Sequence, residues 1–135
     1  MRPLLIRLEQ GPVLAQGAWA TENTFERVQG WLKRDSIEPG EGLLICPCAS
    51  IHTFGMRFAI DVVFLDRRGC LLKIVPNVGP SRLVWGPWRG VLLPFSVQVL
   101  ELPAGSLAAA GASPGRRLVF EPRVRSAEGV QGSVS

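Results

Sequence analysis

The stretch "RFAIDVVFLDRRGCLLKIVPNV", Arg57 to Val78, decides the fold class. It holds two runs rich in β-branched and aromatic residues, separated by "DRRG". Asp66 and Gly69 are turn formers, so the stretch predicts two antiparallel strands joined by a tight connection. In "FAIDVVFL" one face carries Phe58, Ile60, Val62 and Phe64, and the other carries Ala59, Asp61, Val63 and Leu65. Both faces are apolar apart from Asp61, which implies a strand covered on both sides.

The pattern extends outward from this hairpin. "LLIRLEQ" (Leu4 to Gln10) predicts a first strand, and Gly11-Pro12 ends it. "VLAQGAWA" predicts a second strand. Phe25, Val28, Trp31 and Leu32 fall at helical spacing, with Asn23 and Glu26 at capping-box spacing, so a helix is expected over 21–34. "GLLICPC" reads as a short buried strand. "FSVQVLELPAG" is another strand, "SLAAAGA" a short helix over 106–111, and "RRLVFEP" the last strand. "GPSRLVWGPWRGVLLP" is expected to be an irregular loop with short extended pieces, folding its two tryptophans over one end of the sheet.

Many short strands with Gly and Pro punctuation predict a mainly β (α+β) fold. We expect a curved antiparallel sheet tending to a small barrel, with one or two short helices packed on it. The expected organisation is one β-rich domain over 1–122 and a flexible C-terminal tail over 123–135, which lacks periodicity.

Composition narrows the class. The chain has 135 residues, 47% of them hydrophobic and 19% charged, which suits one domain with a hydrophobic core. The net charge of +4 reads as a solubilising surface. The N-terminal apolar run is interrupted by Arg7, Glu9 and Gln10, too early for a signal peptide. No stretch reaches the apolar length needed to span a bilayer. A cytoplasmic location with no membrane partner is expected.

Chemistry-bearing residues are few. "CPCASIHT" carries two of the three cysteines and the one histidine. Cys46 and Cys48 have one residue between them, which matches no standard zinc spacing, so no metal and no cofactor are expected. The three thiols are expected to be buried core fillers rather than partners of His52. Asp61 and Glu101 each interrupt an apolar strand face, and a buried carboxylate is costly unless paired or hydrogen-bonded. One account has them form a cleft with His52 and Arg57. The other has Asp61 pin the "IHTFGM" loop and Glu101 accept amides of the "LPAG" turn. Trp85 and Trp88, interleaved with Arg82 and Arg89, form a third candidate, able to stack bases or clamp an anion.

Three features resemble the family catalogued as domain of unknown function 192. They are "IHTFGMRFAIDVVFLDRRG", the later "VLELPAG" and the "SPGRRLVF" ending, spanning about Glu26 to Phe120. The anchors are the strand around Asp61 and the Leu100–Gly105 stretch. Many members carry Trp-Met-x-Asn-Thr where this chain has His52-Thr53-Phe54-Gly55-Met56, which marks a variant branch. The resemblance implies a compact, mostly β domain and supplies no reaction.

The leading functional expectation is a small non-enzymatic domain that binds a small ligand or a protein, with a cleft near His52, Asp61 and Glu101. Arg57, Trp85 and Trp88 are further binding candidates. The alternative is a small enzyme with Asp61 or Glu101 as general base and His52 as partner. A further alternative, less favoured, is nucleic-acid binding through the Trp85–Arg89 loop.

Overall fold

The computed structural model describes residues 1–22, 31–32 and 34–123. Its main sheet has seven strands: β1 (Arg2–Leu8), β2 (Val13–Ala20), β3 (Glu41–Ile45), β5 (Ile60–Asp66), β6 (Leu71–Val78), β8 (Val97–Pro103) and β9 (Leu118–Pro122). A two-stranded sheet pairs β4 (Ser50–His52) with β7 (Leu83–Trp85). Two short helices follow, α1 (Trp88–Leu92) and α2 (Ser106–Ala110). The large sheet runs in the order β6-β5-β8-β3-β2-β1-β9.

The expected hairpin is β5–β6. Its turn is held by the Asp66 carboxylate, which accepts the amide N–H groups of Arg68 and Cys70. Gly69 sits at φ +93°, and a Cβ there would lie 2.5 Å from the carbonyl oxygen of Leu118, so only glycine fits. That close approach brings the hairpin tip onto the far edge of the sheet. Leu118 N–H donates to the Gly69 carbonyl and Leu71 N–H to the Arg116 carbonyl, and Cys70 bridges Arg117. The sheet is therefore strongly curled, a half-barrel whose two edges meet at one end.

The sheet is mostly antiparallel. The exception is β2–β3, which is parallel. Residues 21–40 connect these strands, long enough for the crossover a parallel pair requires. The expected 21–34 helix falls largely on 23–30 and 33, which lie outside the described residues, as does the expected tail from 124 on.

Two apolar layers hold the curl. Inside it lie Ile6, Leu8, Ala18, Leu44, Val63, Leu65, Leu100, Leu102 and Leu118, with Leu107 of α2 closing one end. On the outer face lie Leu43, Ile45, Ile60, Val62, Phe64, Val97 and Val99, covered by Ile51, Met56, Trp31 and Val84. The strand β5 is thus buried on both faces. The segment after β7 differs from expectation. It forms α1 and a 3-10 turn over Pro94–Ser96. Trp85 and Trp88 stand outward and do not fold over the sheet.

Candidate functional site

Asp61 faces the inside of the curl and is 1% exposed. The β5–β6 ladder is irregular between Ile60 and Val62, and Asn77 opposite adopts φ 53°, as in a β-bulge. The displaced Asn77 N–H donates to Asp61 Oδ1 at 2.9 Å. Oδ2 accepts the N–H groups of Gly105 and Leu107, both at 3.1 Å. Three backbone donors therefore stabilise this buried charge. Asp61 ties the end of β6 to the turn that starts α2. It does not pin the 51–56 loop, because it points into the other side of the sheet.

Thr53 pins that loop instead. Its fully buried hydroxyl donates to the Gly79 carbonyl at 2.7 Å and accepts the Arg82 N–H at 2.8 Å. Two backbone bonds reinforce it, Thr53 N–H to the Arg82 carbonyl and Ser81 N–H to the Thr53 carbonyl. The residue-level signal was weak, since an isolated Thr next to a His reads as loop.

Glu101 lies on the outer face, opposite Val62 and Leu43 in the ladders, beneath Trp31. Burial pushes its pKa up to about 7, and the Trp31 indole draws it partly back. Among the described residues the Trp31 N–H closes no hydrogen bond of good geometry. The Gly105 amide of "LPAG", expected to reach Glu101, goes to Asp61 instead, as does that of Leu107. Beside Glu101, Met1, Trp19, Trp31 and Leu43 line an open apolar cavity of about 330 Å³. Arg34 and Arg123 stack on Trp31 and Trp19 respectively.

The structure does not bring the expected cleft together. Asp61 and Glu101 face opposite sides of the sheet. Arg57 is exposed and paired with Asp35. His52 is exposed and stacked on Phe54, with ring centroids 5.3 Å apart. The Cys48 thiol donates to the Ser50 carbonyl at 3.1 Å. All three cysteines are half-buried rather than fully buried, because each lies at a strand end or turn, and Cys48 packs against the outer apolar layer. Among the described residues no three His, Cys, Asp or Glu side chains gather as metal ligands would.

What the structure does assemble is an apolar outer surface. His52 pairs with Leu83 and Ser50 with Trp85 across the β4–β7 ladder, so His52, Leu83 and Trp85 share one exposed face. Phe54 stacks on His52, and in the segment that follows β7 Trp88, Val91, Leu92, Leu93 and Phe95 are exposed as well. Trp88 is 78% exposed and Leu92 75%. Apart from Val13, every large hydrophobic residue that is exposed among the described residues is Phe54 or belongs to the 83–95 segment.

This protrusion has a firm base. A Cβ at Gly86 would lie 2.6 Å from the Ala49 carbonyl oxygen and 2.7 Å from the Phe64 ring. One at Gly90 would lie 2.9 Å from the Ala49 Cβ. The two glycines let α1 press on the 46–50 loop, and Gly86 N–H donates to the Ala49 carbonyl. Its apolar side chains are thus held outward from a packed base.

The family DUF192, "Uncharacterized ACR", matches residues 10–120. The chain belongs to the DUF192 family. No curated protein matches it. Two crystal structures share the fold of this DUF192 chain. One is a protein from Sinorhizobium meliloti 1021 named as a candidate transcription regulator, at TM-score 0.70 and 21% identity, covering 88% of this chain and 92% of that one. The other is a protein of unknown function from Novosphingobium aromaticivorans DSM 12444, at TM-score 0.69 and 18% identity, covering 87% and 83%. At these identities the likeness concerns the fold. No described helix of this DUF192 protein is long and apolar enough to cross a membrane.

Proposed function

We propose that this DUF192 protein is a non-enzymatic binding module that docks through the face built by His52, Phe54, Leu83, Trp85 and α1. One observation carries the reading: large apolar side chains concentrate on that face while resting on a packed base. A contiguous exposed apolar patch on an otherwise polar surface marks an interaction site. The residues needed by the enzymatic alternative are placed unfavourably for it. Asp61 is committed to three amides, Glu101 is sealed under Trp31, and His52 stacks on a phenylalanine. Nucleic-acid binding is less well supported, since the aromatic side chains that could stack bases are interspersed with aliphatic Leu83, Val91, Leu92 and Leu93.

Site-specific photo-crosslinking in the producing cell tests the reading. A crosslinker at position 92 should give discrete adducts, with protein or with lipid, and one at position 13 should not. Equal labelling at both positions, or none at 92, overturns it.

A further inference from the structure

We infer that the occupant of this face is the surface of an anionic lipid bilayer, with α1 and its flanks entering the headgroup layer; this rests on the docking reading above. Charge is the first argument. The run from Pro80 to Ser96 has two arginines and no acidic residue. Arg82 and Arg89 lie within the apolar run, and they, Lys73 and Arg67 are exposed. Lys73 and Arg67 are fixed there by bonds to the carbonyls of Trp85 and Phe95. Asp66, which faces Arg89 at 3.8 Å, is mostly covered and accepts two amides. A cationic rim around an apolar centre complements anionic headgroups over acyl chains. The same rim opposes a second copy, because a two-fold contact would set like charges against each other.

Residue chemistry is the second argument. Two tryptophans beside leucines, valine and phenylalanine match the composition favoured at a membrane–water interface. The backbone is the third. A segment that leaves water must satisfy its own polar groups. Here Gly90 N–H donates to the Pro87 carbonyl, Leu93 N–H to that of Arg89, and Ser96 N–H and Oγ to that of Leu93. An interfacial contact needs no spanning helix, so it is compatible with the absence of one among the described residues.

The test is flotation of the full chain with two kinds of vesicle, pure phosphatidylcholine and phosphatidylcholine mixed with phosphatidylglycerol. Binding should be at least about tenfold stronger to the mixed vesicles and should weaken with added salt. Trp88→Ser with Leu92→Ser should abolish it. Arg82→Gln with Arg89→Gln should weaken it about tenfold and flatten its salt dependence. Circular dichroism and unfolding of each variant establish that it is folded. Absence of flotation with mixed vesicles overturns the lipid assignment. So does tight binding to a single-stranded oligonucleotide, or a dimer in solution, that the same serine variant removes. If flotation fails while position 92 still crosslinks to a protein, the docking reading stands and the bilayer falls; if both fail, both fall.

Discussion

Asp61 and Glu101 lie one register step apart on paired strands and face opposite sides of the sheet. Asp61 stands opposite Leu102, and Glu101 opposite Val62. The two carboxylates therefore answer to different surroundings. Asp61 meets three amide donors inside the curl, and Glu101 meets apolar side chains and the Trp31 indole outside it.

Asp61→Asn should destabilise the protein by about 1.5–3 kcal/mol at neutral pH, the scale of a hydrogen bond to a charged group. The asparagine amide would turn an NH₂ toward N–H groups that need an acceptor. Denaturant unfolding should show a lower midpoint at unchanged slope. A midpoint equal to the parent's would mean that the three amides gain nothing from the charge.

Glu101 predicts the opposite response. Its carboxyl titrates near 4.5 when unfolded and at about 7 in the fold. A raised acid binds its proton more tightly in the native state, so stability falls as pH rises from about 4.5 to about 7 and then levels off. The displacement corresponds to on the order of 3 kcal/mol. Glu101→Gln should match the parent at acid pH, exceed it above pH 7, and remove this part of the pH dependence. Unfolding measured across that range checks it, and parallel curves for the two proteins would contradict it.

How much of this was legible in the sequence follows from the kind of interaction. The β5–β6 hairpin, its turn and the covering of both faces were readable, because period-two patterning and Asp-Gly turn chemistry are local. Glu101 and Asp61 were readable as buried for the same reason. Their partners were not. The amides of Gly105 and Leu107 reach Asp61 only once β8 lies beside β5. The turn after β8 could as well have served Glu101, and strand parity decided between them. Sequence pattern alone has Trp85 and Trp88 cover one end of the sheet. They stand outward because Gly86 and Gly90 bring the backbone itself against Ala49 and Phe64, leaving the side chains no room beneath. The parallel β2–β3 pair was hidden too, since it depends on the path of the long connection rather than on either strand.

Gly86→Ala tests that base. The added methyl would meet a carbonyl oxygen and the buried Phe64 ring, and overpacking of this kind costs about 1–3 kcal/mol. Thermal unfolding should move downward. An unchanged midpoint would mean that the segment lifts away freely and that its apolar side chains are not held outward by the fold.

The account's central claim is that the Trp88 and Leu92 side chains belong to a docking face and contribute nothing to the fold. Its most direct test is the denaturant midpoint of the protein carrying Trp88→Ser and Leu92→Ser together. The account predicts a stability within about 0.5 kcal/mol of the parent, the usual range for surface positions. A loss of more than about 2 kcal/mol, at unchanged slope, would show that these side chains pack against the core and would contradict it.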